Sequence, residues 1–288
     1  MAGFSKLHPF VELLYFLLVM LFSMFVSHPL VQLAGLAFAA LTALACVGGK
    51  RFSRQLLLVV PLMLFTALLN PLITHQGVTI LFYFPSGNAC TLESVLYGVF
   101  AAVRLATVLL WFTSWNAILT SDKVVFLFGR IIPALSLTLS MGLRLIPRLL
   151  RRVREVSEAQ KCLSPDSKGL RHAGRVISIV ITWSLENALD TADSMKSRGY
   201  GLPKRTAFSL YRFTPRDGFA LVFLLVPGAC VLSAALGGAL SWQFYPLMQG
   251  SAGLWTLLSA AAFVLLAAFP LIFEAKEALQ WRISRSEI

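Results

Sequence analysis

Two acidic side chains, Asp190 and Asp193, are spaced so that both would lie on one face of a helix. Paired carboxylates of this kind could hold a metal ion against a diphosphate group, which would make the chain a membrane-embedded enzyme. Such a metal cluster needs a second aspartate-rich motif, and the sequence contains none. We therefore interpret the pair as the polar face of a helix and keep the enzyme as an alternative class.

Histidine and cysteine side chains are scattered through the sequence without a zinc or catalytic spacing. They are His8, His28, His75 and His172, and Cys46, Cys90, Cys162 and Cys230. No Walker A sequence is present, so the chain does not bind ATP by that device. We expect no metal, no cofactor and no catalytic residue in this chain.

Single basic residues at three places could bind a partner. Arg104 lies inside an apolar segment, where a charge usually faces the protein interior. It could contact another helix or a partner, or it could be a structural arginine that snorkels or pairs with a carbonyl. The other two places are the ends of predicted amphipathic helices, and their residues are Gln160, Lys161 and Cys162, and Ser197, Arg198 and Gly199. A cation in the last helical turn also complements the helix dipole, by less than about 1 kcal/mol.

The elements that carry these residues follow from the apolar runs. The chain is 57% hydrophobic and 13% charged, against about 25% charged residues in soluble domains. Six segments are long enough to cross a bilayer, namely 10–27, 30–47, 55–73, 92–119, 219–236 and 254–273. The pattern predicts an all-α polytopic membrane protein with about six transmembrane helices and long amphipathic cytoplasmic helices.

Basic residues are distributed on one predicted side of the membrane. Of 25 Lys and Arg residues, all except Arg104 lie in the N-terminus, 48–54, 120–217 or the C-terminal tail. The loops 74–91 and 237–253 contain none. This positive-inside pattern places both termini in the cytoplasm of a multi-pass protein of the cell (inner) membrane. It explains the net charge of +12 without a nucleic-acid partner, although we expect anionic lipid to contact the inner face.

The long polar region predicts the domain organisation. Residues 1–119 form four membrane spans, residues 120–217 form a cytoplasmic region, and residues 218–288 form two spans and a tail. Within the cytoplasmic region, one helix is expected from Pro133 toward Gln160, with a kink at Pro147 and a stop at 164–166. A second helix is expected over 175–198, with Gly199 as its stop residue.

The end of the second helix carries a family resemblance. Ser197, Arg198 and Gly199, followed by Tyr200 and Gly201, resemble the Ala-Arg-Gly signature of the T components of energy-coupling factor (ECF) transporters, a CbiQ-like family. The stretch 142–147 is similar to the segment before the first coupling motif of that family. Three further short similarities are the sequence Asn70-Pro71-Leu72, the pair Arg104-Leu105 and the cluster Thr120-Ser121-Asp122.

The resemblance implies a scaffold rather than an enzyme. A T component joins a membrane S component, which binds a vitamin or a metal ion, to two cytosolic ABC-type ATPases that bind the ATP. Two coupling helices place an arginine in a groove of each ATPase, and Arg198 matches the second tip. At the first tip Leu163 stands where the arginine is expected, so this tip would use Lys161 or would dock by shape.

Two further expectations concern the membrane part. A self-contained secondary transporter is a third class, but the sequence shows no internal repeat, and Arg104 is its one ionisable residue at mid-membrane. Small residues in the second span allow close approach of helices, and we expect them to contribute to the interface with the S component. They are Gly35, Ala39, Ala40 and Ala43.

Overall fold

The computed structural model describes residues 3–83, 89–129, 133–163, 169–202, 211–245, 248–251 and 253–286. It is 82% helical, which confirms the all-α class. The helices are α1 (Pro9–Phe25), α2 (Pro29–Val47), α3 (Gly49–Ile73), α4 (Leu92–Ile118), α5 (Ser121–Gly129), α6 (Pro133–Leu163), α7 (Leu170–Ser197), α8 (Pro215–Leu236) and α9 (Leu254–Ser286). Two antiparallel hairpins complete the described elements: β1 (Ile80–Tyr83) with β2 (Ala89–Thr91), and β3 (Trp242–Gln243) with β4 (Gln249–Gly250).

Five of these helices, α2, α3, α4, α8 and α9, are long and apolar enough to span a membrane. The first predicted span is the exception, because α1 is apolar but only 17 residues long. At 1.5 Å per residue it measures about 25 Å, against about 40 Å for the 27 residues of α4. The chain is therefore a polytopic membrane protein whose first helix is shorter than the hydrocarbon core of about 30 Å.

The chain forms two compact units. The membrane unit consists of Met1–Ser121 and Tyr211–Ile288, and the helical-hairpin unit consists of Asp122–Leu210. The membrane unit has an aromatic core in which the rings of Phe4, Phe16 and Trp111 surround Tyr15. The Tyr15 hydroxyl donates a hydrogen bond of 3.2 Å to the carbonyl of Ala267 in α9. Because a buried hydroxyl needs a partner, this bond fixes the position of α9 beside α1.

Residues near both termini lie at one end of the membrane unit. Lys6 Nζ lies 2.8 Å from Glu277 Oε1 of α9. On the same end, the buried carboxylate of Asp217 accepts hydrogen bonds from the backbone N–H groups of His8 and Thr214, each 2.8 Å away. One carboxylate thus caps the first turns of α1 and α8, which must start on the same side.

The small residues of α2 pack inside the chain, so the expectation that they meet a membrane partner is wrong for most of them. Gly35, Ala39 and Ala43 are buried. A Cβ atom on Gly35 would lie 3.4 Å from Thr107 of α4 and 3.6 Å from Phe263 of α9. The close helix approach that small residues permit is used within this chain, and of the four residues only Ala40 is partly exposed.

The helical-hairpin unit contains α5, α6 and α7. Helices α6 and α7 pack antiparallel through Leu149, Val156, Val176 and Val180. The second helix starts at Leu170, five residues before the predicted start, because Gly174 is accommodated within the helix, where a side chain would meet open space. The predicted stop at 164–166 lies outside the described residues. Pro147 lies inside α6, which continues to Leu163.

Candidate functional site

The end of α7 is an exposed tip with a defined backbone cap. Arg198 is the C-cap residue, and Gly199 follows it with a φ of 78°. The N–H of Gly199 donates to the carbonyl of Lys196 (2.9 Å), and the N–H of Tyr200 donates to that of Met195 (3.0 Å). These two bonds form a Schellman motif, which satisfies the last carbonyls of the helix and needs a left-handed residue at Gly199. The tip is therefore ordered by its own backbone.

Arg198 presents an exposed cation at this tip. Its side chain is exposed, and it forms no ion pair with any residue that the structure describes. Ser197 is exposed as well, and its hydroxyl donates to the carbonyl of Ser194 at 2.9 Å. Small neighbours on both sides leave the guanidinium accessible for a bidentate contact with a carboxylate.

The last turn of α6 contains the other predicted tip. Lys161 and Cys162 are exposed, and Gln160 is half-buried. Leu163, at the position where the resemblance implies an arginine, is also exposed. The residues that would cap this end of α6, 164–168, lie outside the described part of the chain.

The structure does not bring the two tips together. Ser157 Oγ lies 3.3 Å from His172 Nε2, which places the end of α6 beside the start of α7. From there α7 runs for 28 residues, so Arg198 is about 42 Å from the Lys161 end. The six predicted residues therefore form two separate sites at opposite ends of one helical hairpin, and a single small molecule could not contact both.

Arg104 serves the turn between α1 and α2. It follows Leu92 by twelve residues, so it lies about 18 Å below the start of α4. Its Nη2 donates to Ser27 Oγ at 3.4 Å. The short α1 thus ends at mid-depth of α4, and Arg104 provides a donor to a polar turn that lipid could not satisfy. Its Nε is buried and has no hydrogen-bond partner among the described residues.

The turn is covered by the loop between α8 and α9. The ring of His28, which is 4% exposed, lies edge-on to Trp242 of β3 at 5.4 Å. Gln32 Nε2 donates to the carbonyl of Val26 at 3.2 Å. Sequence reasoning missed this cover, because the contact joins segments more than 200 residues apart.

The acidic pair that could have held a metal is exposed on α7. Asp190 and Asp193 both face solvent, and no group of three or more metal-binding side chains occurs in the described part of the chain. The pair therefore lacks the further ligands that a metal–diphosphate site needs. This geometry fits the interpretation of the pair as a polar helix face.

A family model described as CbiQ, cobalt transport protein, matches residues 4–208. The match covers more than two thirds of the 288 residues and includes Arg104 and both helix tips. No curated protein matches the chain.

Proposed function

The chain belongs to the CbiQ family of cobalt transport proteins, and from this premise we propose that it is the membrane subunit that couples ATP hydrolysis to uptake in an ECF-type importer. In this proposal it is a non-catalytic scaffold with no cofactor of its own. Two cytosolic ABC-type ATPases bind and hydrolyse the ATP. A separate membrane S component binds the transported vitamin or metal ion.

The observation that carries the proposal is the position of Arg198. It is an exposed cation on an ordered helix end, about 42 Å from the opposite end of the hairpin. A separation of that size suits contacts with two different protein subunits. The proposal assigns Ser197, Arg198 and Gly199 to one ATPase and Gln160, Lys161 and Cys162 to the other.

The proposed orientation puts both termini and the helical-hairpin unit in the cytoplasm of the cell membrane. It is supported by the charge distribution and by the ion pair of Lys6 with Glu277, which brings the two ends of the chain to one side. The tips would then meet the ATPases in the compartment that contains ATP.

The experiment that tests the proposal is purification of the tagged chain with its partners, followed by reconstitution. We expect two ATPase chains and one small membrane protein to co-purify, and we expect uptake into proteoliposomes to require ATP. Transport by the chain alone, driven by an ion gradient, would instead support a self-contained secondary transporter. Turnover of a substrate by the chain alone would support an enzyme.

A further inference from the structure

An open pocket of about 290 Å³ lies on the helical-hairpin unit, away from both tips. It is lined by Arg148, Arg151, Arg152 and Glu155 of α6 and by Trp183 of α7. Three of its five side chains are cationic and one is anionic. An excess of positive charge in a concave surface favours an anionic ligand.

Arg152 contacts two neighbours in this pocket. Its guanidinium lies over the ring of Trp183, 5.3 Å from the ring centroid. Its Nη1 lies 3.1 Å from Glu155 Oε2. Arg152 and Trp183 therefore form one wall of the pocket. Glu155, which is 62% exposed, offsets one of the three positive charges.

The other two arginines keep their charge for a ligand. Arg148 and Arg151 are exposed, and neither forms an ion pair with a residue in the described part of the chain. Arg151 Nε donates only a 3.4 Å bond to the carbonyl of Pro147. Their positions three residues apart place both guanidinium groups on one side of α6, so a single anionic group could contact both.

The exposed apolar side chains of α6 lie opposite Arg148, and Arg151 is about 100° around the helix from Leu150. Ile146 and Leu150 are exposed, although each is a large apolar side chain. At 100° per residue, Arg148 lies about 160° around the helix from each of them. Exposed apolar surface of this kind is covered by lipid or by a membrane partner, which leaves the arginine side for the aqueous phase.

We propose that Arg148 and Arg151, against the wall of Arg152 and Trp183, form a carboxylate-binding site for an acidic segment of a cytosolic protein. This inference rests on the proposed function, because it takes the ATPase as that protein and adds a third contact beside the two tips. Arginine suits the role because its planar fork binds a carboxylate through two parallel hydrogen bonds.

A phospholipid phosphate is the competing ligand, and the helix geometry disfavours it. In helices that lie on a membrane, cations border the apolar face and reach up to the headgroups. On α6 that position belongs to Arg154, which is about 40° from Leu150. Arg148 is on the far side of the helix from the apolar face.

The first experiment identifies the ligand atom by carbodiimide crosslinking of the complete complex. In Arg148→Lys and Arg151→Lys the new amine can form an amide with a nearby carboxylate that the carbodiimide has activated. We expect mass spectrometry to find a peptide containing position 148 or 151 joined to an Asp or Glu of an ATPase. Arg154→Lys, an equally exposed control on the same helix, should give no such peptide. Equal crosslinking at 154, or none at 148 and 151 while the ATPases stay bound, would overturn the inference and leave the proposed function intact.

The second experiment tests the pocket without any ATPase. Binding of a fluorescent hexaglutamate peptide to the purified full chain is compared for Arg148→Gln/Arg151→Gln and for the charge-matched control Arg154→Gln/Arg171→Gln. We expect the pocket variant to raise the Kd about tenfold and the control to change it less than twofold. Equal losses would show non-specific attraction to a basic protein, which would refute the site. Loss of binding to phosphatidylglycerol vesicles, with peptide binding unchanged, would assign the pocket to lipid and refute it as well.

Discussion

The carboxylate of Asp217 lies 2.8 Å from the backbone nitrogen of His8, across 209 residues of sequence. The same carboxylate accepts from the backbone N–H and the hydroxyl of Thr214. It is 3% exposed, whereas its donors belong to the half-buried His8 and the exposed Thr214. The start of α1 and the start of α8 therefore depend on one buried acidic side chain.

Removal of this carboxylate should destabilise the membrane unit. We expect Asp217→Ala to lower the free energy of unfolding by about 1–3 kcal/mol, because the backbone N–H groups of His8 and Thr214 lose a charged acceptor. The measurement is the midpoint of thermal unfolding in detergent, with about 2–4 °C expected per kcal/mol. Asp193→Ala, at an exposed position on α7, is the control and should leave the midpoint unchanged.

Removal of the charge at the α7 tip should impair coupling. Truncation of one partner of a desolvated charge pair costs about 2–5 kcal/mol, so Arg198→Ala should weaken ATPase docking or ATP-driven uptake tenfold or more. Arg198→Lys should restore part of the loss, because lysine lacks the fork. Lys161→Ala should have a smaller effect. Uptake and ATPase co-purification are compared with those of the unsubstituted protein at equal expression. If Arg198→Ala matched that protein in both, Arg198 would have no coupling role and would only complement the helix dipole.

The backbone at Gly199 should matter independently of that charge. A side chain at a φ of 78° costs about 1–2 kcal/mol, and a Cβ atom there would lie 3.0 Å from Leu202. We expect Gly199→Ala to loosen the tip and to speed tryptic cleavage after Arg198. Gly142→Ala is the matched control, since Gly142 lies within α6 with open space around it. Unchanged cleavage in Gly199→Ala would mean that the Schellman motif does not order the tip.

The predicted orientation can be tested by labelling cysteines on intact cells with an impermeant maleimide. In a background without native cysteines, Gln76→Cys and Gln243→Cys should react from outside. Native Cys162, restored alone, is exposed on the hairpin unit and should react only after permeabilisation. Labelling of Cys162 or of a cysteine near position 165 from outside would invert the topology.

Replacement of Arg104 separates its two possible roles. Its one described hydrogen bond is 3.4 Å long and its Nε is buried without a hydrogen-bond partner among the described residues, so those residues compensate the charge poorly. A half-buried charge with little compensation carries a desolvation cost, and an apolar side chain of similar size avoids that cost while giving up only the long bond to Ser27. We expect Arg104→Met to leave the unfolding midpoint unchanged or higher. Weaker co-purification of the S component in this variant would assign the arginine to that partner, and unchanged co-purification would assign it to the turn at Ser27.

The sequence predicts best where local chemistry decides the structure. The apolar runs predict the ends of α2, α3, α4 and α9 to within a few residues, with two exceptions. Helix α3 begins six residues earlier than predicted, and α9 continues beyond its predicted end to Ser286. The stop at Gly199 follows from the left-handed conformation that glycine adopts most readily. These features depend on neighbours within one turn of helix, and a single sequence shows those neighbours directly.

Contacts between distant segments could not be predicted. In the sequence, Trp183 is one of many residues of an amphipathic helix. Its contact with Arg152 arises only because α6 packs against α7. The interface assigned to Gly35 and its neighbours was wrong for a related reason. Small residues permit close helix approach whether the other helix belongs to the same chain or to a partner, so their pattern does not identify the helix that they meet.

The length of α7 also affects how firmly a complex would hold together. Two modest contacts on one rigid body reinforce each other, because binding at one end gives the other end a high effective concentration of its target. That gain depends on a fixed span between the ends, which an unbroken helix of 28 residues provides. A break in the middle of α7 would therefore loosen the assembly even with Arg198 and Lys161 unchanged, because each end would then bind as an independent, weaker ligand.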